Sequence, residues 1–384
     1  MSKNLRNIPL YHIAKIAPKN ASVWIFGAIE GNGYADNAKY LFEWINANTD
    51  IKAVWVTRNK EIYKKLKNLG FKVCKSYSLK AIYYGLIAKV CVTTHINTTT
   101  TMKFLNNPKT LLVQLWHGAP LKKIGSDSTL DGGKAEFKNI FEKFFCPFLT
   151  EKYDLVTAIS NEDKSKFHSA FNHFCSHVTE QNIKITGYAR NDILINKNPK
   201  DSFNVIYMPT FRNYGKDDVK TLFEKFNPIK FDKILGENNI NLIIKVHPFN
   251  EPNSDIKSEL ENCKNIKFAN QNDANEILCQ ANILITDYSS CYFDFLLTER
   301  PIIFAPFDLG EYKQKYRELY YDYNDITPGP KCETWDEVIE WVVKFKNNSN
   351  PYLQERKILK NKFHIYQDAN SCERIYNEII KLIN

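Results

Sequence analysis

The sequence predicts an α/β fold built from two open parallel sheets, each covered by helices. Three observations support this prediction. Short apolar runs alternate with helix-length segments, a polar break interrupts the alternation near the middle of the chain, and the alternation then restarts. The chain has 384 residues, enough for two lobes of ordinary domain size. Because ligands of such sheets bind beyond the carboxyl ends of the strands, the residues that follow each apolar run are the functional candidates.

The first half of the chain predicts one such lobe. A glycine-bearing loop at residues 27–33 separates its first strand from its first helix, and a polar stretch with a proline, NKNPKD at 196–201, ends the lobe. Helical spacing of apolar residues falls at Ala35–Asn48, Lys60–Leu69 and Ser78–Lys89. The predicted strands are Ser22–Phe26, Ala53–Thr57, Val90–Thr94, Leu111–Leu115, Leu155–Ile159 and Ile183–Thr186.

The second half repeats the alternation. Its predicted helices are Thr221–Phe226, Asp232–Asn238, Ala274–Gln280 and Cys291–Thr298. Its predicted strands are Val205–Met208, Leu242–Val246, Ile266–Phe268, Ile283–Thr286 and Ile302–Ala305. We therefore expect two Rossmann-like lobes facing a central cleft, at 1–197 and 198–350. We expect the remaining helices, at 351–384, to pack back toward the first lobe.

Composition limits the partners and the compartment. The excess of 52 Lys and Arg over 43 Asp and Glu gives a net charge of +9, which suits an anionic partner such as a nucleotide or an anionic membrane surface. No basic run with interleaved aromatic residues points to nucleic acid. Nine scattered cysteines are typical of a reduced cytosolic protein. The N-terminus lacks the apolar core of a secretory signal. If the protein acts at a membrane, we therefore expect it to bind the cytoplasmic surface.

A histidine follows the strand Leu111–Leu115 directly. The sequence there is WHGAPLKKIG, which places His117 at a strand end before the turn residue Gly118, with Lys122 nearby. A neutral imidazole in that place can take a proton from a hydroxyl near pH 7, and Lys122 adds positive charge. The structural alternative is a histidine that is hydrogen-bonded in the core. Position and turn together favour the functional interpretation.

The stretch 281–308, ANILITDYSSCYFDFLLTERPIIFAPFD, predicts a strand, a polar turn, a helix and a second strand. Ser289 and Ser290 fall where the helix begins, and a helix N-terminus with nearby hydroxyls attracts an anion. We predict a phosphate site at this turn. The alternative is that the two serines only cap their own helix.

Three further motifs stand at predicted strand ends or close a lobe. YMPTFR supplies the hydroxyl of Thr210 and the guanidinium of Arg212, which suit phosphate oxygens, and KVHP supplies His247 and Pro248. GYARND closes the first lobe with Arg190 and Asp192 as cleft candidates. The chain contains neither a G-x-G-x-x-G nor a Walker sequence, so these motifs predict neither a dinucleotide site nor a P-loop.

These motifs, taken in order, resemble those of the CDP-glycerol glycerophosphotransferase family, the teichoic acid primases and polymerases. The similarity starts at FGAIEGNGYADNAKYLF (Phe26–Phe42) and passes through WHGAPLK, GYARND, YMPTFR, KVHP and TDYSSCYFDFLLTERPIIFAPFDLGEY. It ends at QDANSCERIYNEI (Gln367–Ile379) and so covers nearly the whole chain. The resemblance implies a GT-B fold and the transfer of phosphoglycerol from CDP-glycerol to a hydroxyl, with release of CMP.

The resemblance also implies roles for the residues. His117 is expected to be the base that activates the acceptor hydroxyl, and His247 to stabilise the phosphate under attack. The predicted donor-binding residues are Thr210, Arg212, Pro248, Asp287, Ser289, Ser290 and Asp294, the last near the ribose or structural. The predicted acceptor-binding residues are Asn37, Gly118, Lys122, Arg190 and Asp192. Because protein cations supply the charge, and no Asp-x-Asp dyad is present, we expect no metal and no cofactor.

Alternatives remain open for the donor and the acceptor. Ala119 and Tyr188 differ from the threonine or serine and the proline that the family pattern favours, and CDP-ribitol remains a possible donor. The length is closer to single-addition primases or capsule enzymes than to polymerases with an extra domain. The second hypothesis is a glycosyltransferase that uses a CMP-activated acid sugar, sialic acid or Kdo. The third is a non-catalytic, nucleotide-binding scaffold in capsule assembly.

An aromatic stripe predicts contact with lipid. Phe137, Phe141, Phe144, Phe145 and Phe148 recur at helical spacing, accompanied by lysines. An amphipathic helix packed on its own lobe is the equally favoured alternative. Because the family's acceptor is a lipid-linked or polymeric glycan, we expect a cytoplasmic protein that is peripheral on the inner face of the cell membrane.

Overall fold

The structure is a computed structural model. It describes residues 5–95, 102–128, 146–150, 152–171, 178–196, 199, 202–211, 222–246, 254–269, 273–310, 312 and 318–384. In these ranges the chain forms two compact units, and each is described by itself.

The first unit contains, within the described ranges, a parallel sheet of seven strands in the order β3-β2-β1-β4-β5-β6-β7. The chain extends the sheet to one side of β1 with β2 and β3, and to the other side with β4 to β7. The carboxyl ends of β1 and β4 are therefore neighbours near the middle of one edge of the sheet. The strands are β1 (Asn20–Phe26), β2 (Lys52–Thr57), β3 (Val73–Lys75), β4 (Ala88–Thr93), β5 (Leu111–Gln114), β6 (Leu155–Ala158) and β7 (Ile183–Ile185).

Helices cover both faces of this sheet, so its central strands are buried on both sides. The last four residues of β1, Val23 to Phe26, are all buried, as a doubly covered parallel strand requires. The helices of this unit before its C-terminal segment are α1 (Asn7–Ile16), α2 (Asp36–Asn48), α3 (Lys60–Asn68), α4 (Leu79–Ile87) and α5 (Asn161–Phe171). The short α6 (Asp192–Asn196) begins at the end of this unit, and its remaining residues belong to the second unit.

The second unit contains, in its described part, a parallel sheet of five strands in the order β10-β9-β8-β11-β12. The strands are β8 (Phe203–Tyr207), β9 (Ile240–Ile244), β10 (Ile266–Phe268), β11 (Ile283–Thr286) and β12 (Ile302–Phe304). The later helices are α7 (Pro228–Glu237), α8 (Ser254–Glu261), α9 (Ala274–Leu278), α10 (Cys291–Leu296), α11 (Trp335–Lys346), α12 (Leu353–Phe363) and α13 (Ser371–Ile383).

The predicted parallel α/β fold is confirmed in both halves, and every predicted strand has bounds within two residues of those observed. Sequence patterns missed one strand, β3, which consists of three residues at the edge of its sheet. A strand that short carries no alternation to detect.

The units differ from the predicted domain bounds in three places. The first unit comprises 1–117, 124–192 and 368–384, and the second comprises 118–123 and 193–367. The first unit thus ends five residues before the predicted boundary at 197. The segment 118–123 joins the second unit because Lys122 pairs with Leu319 in an antiparallel bridge.

The C-terminal helices divide between the units. Helix α12 belongs to the second unit, where the Arg356 guanidinium donates to the Glu299 carbonyl at 3.1 Å. Helix α13 belongs to the first unit, where Arg374 donates to the Thr186 carbonyl at 2.8 Å. The sequence prediction placed 351–384 as a whole near the first lobe, whereas α12 belongs to the second unit and α13 to the first.

Candidate active site

The first group of predicted site residues lies at the carboxyl edge of the seven-stranded sheet, wholly within the first unit. Strands β4 and β5 are paired there, so the residues after Thr93 and after Gln114 lie side by side. The chain turns sharply at this edge: Trp116 and Gly118 have φ of +55° and +146°, in the region that L side chains rarely adopt. A tryptophan held in that conformation marks local strain of the kind found at functional sites.

His117 is held in one orientation by its neighbours. Its Nδ1 lies 2.8 Å from the Thr94 carbonyl oxygen. Because a carbonyl only accepts, Nδ1 carries the hydrogen, and the lone pair of the neutral ring is on Nε2. The ring stacks on His95, with centroids 4.3 Å apart and planes 6° apart, and on Trp116 at 4.4 Å. His117 is thus a partly exposed residue whose ring, packed between its neighbours, is held in one tautomer.

Burial keeps this imidazole neutral. It lowers the pKa of His117 to about 4, and the positive charge that His95 can carry lowers it further, against the opposing charge of Asp36. Burial also lowers the pKa of His95. Both rings are therefore uncharged at pH 7, with the Nε2 lone pair of His117 able to accept a proton.

A buried hydrogen-bond network supports the backbone on which His117 stands. Asn37 donates through Nδ2 to the carbonyl oxygens of Leu115 and Trp116, at 3.1 and 2.9 Å, and accepts from the Arg190 amide at 3.1 Å. Arg190 in turn donates to the His117 carbonyl at 2.8 Å. The predicted acceptor residues Asn37 and Arg190 are thus brought to His117, and both are buried.

Asp36 completes this network, and sequence reasoning missed it. Its carboxylate accepts from the Arg190 guanidinium at 2.8 Å and from the Asn37 amide at 2.8 Å. Its φ of +64° places it in the left-handed region at the first residue of α2. The available signal was its position directly before Asn37 at a predicted helix start, where a carboxylate favours the helix N-terminus.

Asp192 lies elsewhere in the first unit and is engaged in a structural contact. Its two carboxylate oxygens accept from the amides of Ser371 and Cys372, at 3.1 and 3.0 Å, at the start of α13. Burial raises its pKa, and these hydrogen bonds act in the opposite direction. The carboxylate thus caps α13 from outside the helix.

Gly118 and Lys122 fall in the second unit. The Lys122 ammonium lies 5.4 Å from the centroid of the Tyr312 ring, and the segment is fixed by the Lys123 amide, which donates to the Glu318 carbonyl at 2.8 Å. Lys123 also forms an ion pair with the Glu318 carboxylate. Gly118 directly follows His117 and Lys122 lies five residues after it, yet both belong to the second unit.

The carboxyl edge of the second sheet is organised by Asp287. Its Oδ1 accepts from the amides of Thr210 and Tyr288, at 2.7 and 2.5 Å, and so joins the ends of the neighbouring strands β8 and β11. Tyr323 donates to the Asp287 carbonyl at 3.1 Å. Asp287 and Thr210 are buried, which makes them the frame of the predicted donor site.

Ser289 and Ser290 lie on this frame and are partly exposed. Ser290 stands at the N-cap of α10 with helical angles, φ −65° and ψ −7°, and its side chain makes no capping hydrogen bond. The Ser290 side chain therefore does not cap α10, contrary to the alternative interpretation. Asp294, one turn into α10, is buried at 1% exposure.

Several predicted residues lie outside the described ranges. These are His247, Pro248 and Arg212, together with Phe137, Phe141, Phe144 and Phe145 of the aromatic stripe. Phe148, the last residue of that stripe, is described. It is 2% exposed and packs against Tyr11 with centroids 5.5 Å apart, so this residue belongs to the core and not to a lipid-facing surface.

Comparison with known proteins identifies the family. The model of the CDP-glycerol:poly(glycerophosphate) glycerophosphotransferase family matches residues 9–381. The chain belongs to this family. The glycerophosphotransferase resemblance noted from the motifs is thereby confirmed over nearly the full sequence, and the chain is an enzyme of this family.

Two curated relatives match this glycerophosphotransferase along almost their whole length. The chain is 28% identical over 399 residues to a teichoic acid poly(glycerol phosphate) polymerase of Bacillus spizizenii, covering 97% of this chain and 95% of the relative. It is 27% identical over 406 residues to a teichoic acid glycerol-phosphate transferase of Staphylococcus aureus, covering 99% and 98%.

A solved structure supports the fold. The wall teichoic acid polymerase TagF superposes with a TM-score of 0.75 at 22% identity, covering 98% of this chain and 94% of that one. At that identity the likeness establishes the architecture, which is the GT-B-like arrangement expected from the sequence.

Proposed function

We propose that this chain transfers glycerol phosphate, or a related alditol phosphate, from a CDP-alditol to a hydroxyl of a lipid-linked or polymeric glycan, in teichoic acid or capsule synthesis. Family membership supports the reaction class. The observation that supports the catalytic assignment is the anchored imidazole of His117, whose Nδ1 donates to the Thr94 carbonyl and leaves Nε2 as the base.

The step needs one proton acceptor. The acceptor hydroxyl attacks the phosphorus that bears the alditol, the bond from that phosphorus to the bridging oxygen breaks, and CMP leaves with this oxygen. Nε2 of His117 takes the hydroxyl proton during the attack. A pKa of about 4 makes the free His117 imidazole a weak base that is uncharged at pH 7, so its Nε2 lone pair is available to the proton.

The donor is expected to bind at the edge of the second sheet. The partly exposed hydroxyls of Ser289 and Ser290 stand beside the rigid Asp287 frame and are able to donate to phosphate oxygens. Arg212 and His247 remain the predicted cationic partners of the phosphates. Helix α10 has only six residues, so we assign the binding to these side chains more than to a helix dipole.

A direct assay tests the reaction. The purified chain is incubated with CDP-glycerol, CDP-ribitol or CMP-sialic acid and with a glycan acceptor, and CMP release and product phosphorus are measured. We expect CMP release with a CDP-alditol and phosphorus in the product. Release from CMP-sialic acid with no phosphorus in the product would establish the sugar transferase instead, and no turnover of any donor would favour the scaffold.

A variant pair tests the base. His117→Ala is expected to lower kcat by roughly 10²–10⁴-fold, the usual contribution of a general base. The matched control is His168→Ala, on α5, which is expected to leave kcat unchanged. Wild-type turnover by His117→Ala would remove His117 from the mechanism.

The surface of α1 and α4 supports an anionic membrane as a partner. The described part of the chain contains no helix that is both long and apolar enough to span a membrane. These two helices, which pack together in the first unit, expose Ile16 at 78%, Leu79 at 87% and Tyr83 at 59%, beside the exposed Lys15 and Lys80. Apolar side chains flanked by lysines suit the boundary of an anionic bilayer.

Vesicle sedimentation tests this surface. We expect the chain to bind vesicles of phosphatidylglycerol with phosphatidylcholine more strongly than phosphatidylcholine alone, and Leu79→Asp to weaken the binding. Leu69, exposed at 58% on the short turn after α3, offers a matched control as Leu69→Asp. Equal binding of wild type and Leu79→Asp would exclude this surface.

A further inference from the structure

A surface groove of the first unit lies away from the candidate active site. It encloses about 590 Å³, a volume within the range of roughly 300–1,000 Å³ that is usual for small-molecule sites. Its walls come from the end of α2, the turn before β2 and one face of α13. The residues that line it include Trp44, Asn48, Asp50, Glu373, Tyr376 and Asn377.

Helix α2 sets the distance between this groove and His117. Asp36 and Asn37 at the start of α2 belong to the His117 network, whereas Trp44 and Asn48 at its end line the groove. Thirteen residues at about 1.5 Å each place the two ends ~20 Å apart. The groove therefore lies at the amino ends of β1 and β2, opposite the catalytic edge, and is a separate site.

The groove combines aromatic faces with hydrogen-bonding groups. The rings of Trp44 and Tyr376 lie 5.6 Å apart at 49° to each other, and both are partly exposed. The amides of Asn48 and Asn377 and the carboxylates of Asp50 and Glu373 are exposed around them. An apolar face with polar groups at its rim is the arrangement that binds a ligand with one apolar face and a ring of hydroxyls.

Charge decides among the ligands that fit this description. The chain carries +9 overall, yet the described residues that line the groove include two carboxylates, Asp50 and Glu373, and neither a lysine nor an arginine. Two carboxylates repel phosphate, so the groove does not suit a nucleotide or a polyanion. The two rings, inclined at 49° to each other, do not enclose a cation in the aromatic cage that a quaternary ammonium prefers.

We propose that this groove is a second binding site, for an uncharged saccharide. The C–H face of a sugar ring stacks on Trp44 and Tyr376, and its hydroxyls bond to the amides of Asn48 and Asn377 and donate to the two carboxylates. The assignment does not depend on the reaction proposed above. If that reaction holds, the saccharide portion of a glycan acceptor is the natural occupant.

Saturation-transfer NMR with the full chain tests the site directly. The probes are cellobiose and N,N′-diacetylchitobiose at concentrations up to about 10 mM, where weak saccharide binding becomes measurable. We expect saturation transfer to at least one disaccharide, and a loss of roughly fivefold or more in affinity for Trp44→Ala, because ring stacking contributes about that factor. No transfer to either disaccharide overturns the proposal.

Two further variants keep the result interpretable. Asn377→Arg changes an exposed side chain that lines the groove, so it should fill the groove and abolish binding with the fold intact. Trp341→Ala removes a partly exposed tryptophan of the second unit and should leave binding unchanged. Wild-type binding by Asn377→Arg overturns the proposal. So does tighter binding of choline or of glycerol phosphate, which would assign the groove to a cation or an anion.

Discussion

Asn37 gives the sharpest test of how the fold positions His117. The substitution is Asn37→Leu, which keeps the side-chain volume nearly constant and removes its hydrogen bonds. In the wild-type chain Asn37 is fully buried, donates to the Leu115 and Trp116 carbonyls and accepts from the Arg190 amide. The substitution therefore removes the Asn37 hydrogen bond from three backbone groups. The Trp116 carbonyl directly precedes His117 in sequence, and Arg190 donates to the His117 carbonyl.

The magnitude follows from which groups keep a partner. The Leu115 carbonyl retains the Thr157 hydroxyl, which donates to it at 2.9 Å. The Trp116 carbonyl and the Arg190 amide both lose the hydrogen bond that Asn37 makes to them. A buried carbonyl left unsatisfied costs about 1–3 kcal/mol, so the Trp116 carbonyl alone is expected to lower the free energy of unfolding of Asn37→Leu by about that amount.

Urea denaturation measures the loss, and CMP release measures its effect on the site. The control is Asn46→Leu, at an exposed position of the same helix, expected to change the free energy of unfolding by less than about 0.5 kcal/mol. Because Trp116 and Arg190 fix the His117 backbone, kcat should fall while KM for the donor changes little. A destabilisation below about 1 kcal/mol would refute the account of Asn37 as the support of His117.

Three further outcomes are expected. Burial holds the pKa of His364 at about 4, below its ordinary 6.5, so the unfolded chain binds the proton first and stability falls as pH drops from 6.5 toward 4. His364→Leu should remove about 2 kcal/mol of the loss between pH 7 and pH 5, measured by urea denaturation, and an unchanged pH dependence would contradict this. Asp192→Ala should cost about 1–2 kcal/mol of unfolding free energy, because α13 loses its cap, and wild-type stability would contradict that role. His95→Ala should lower kcat roughly tenfold by removing the ring that stacks on His117, and a loss as large as that of His117→Ala would instead make His95 the base.

Local pattern predicted the strands and the residues that follow them. Leu111–Leu115 and Ile283–Thr286 are apolar runs that end at a polar turn, and both are parallel strands in the structure. His117 and Ser289 were therefore found at strand ends from sequence alone. This succeeds because a doubly covered parallel strand must be apolar throughout, and the first polar residues mark its end.

The sequence analysis expected the last helices to pack toward the first lobe, but no local pattern predicted which residues α13 contacts there. Tyr376 meets Trp24 and Trp44, and Arg374 meets Thr186, across separations of more than 180 residues. The saccharide groove exists only because of this packing. No spacing rule connects the last helix to the first strands, since the contact is chosen by shape and not by sequence distance.

The sequence by itself determined that this chain is a two-lobed parallel α/β glycerophosphotransferase with a histidine at the end of the apolar run Leu111–Leu115. Only the tertiary structure decided what that histidine is: a neutral ring with its proton on Nδ1, stacked on His95 and supported by Asn37, Arg190 and Asp36. It also showed Asp192 as a helix cap. The physical reason is that a residue's type fixes which bonds it is able to make, whereas its burial and its partners fix which of them it makes.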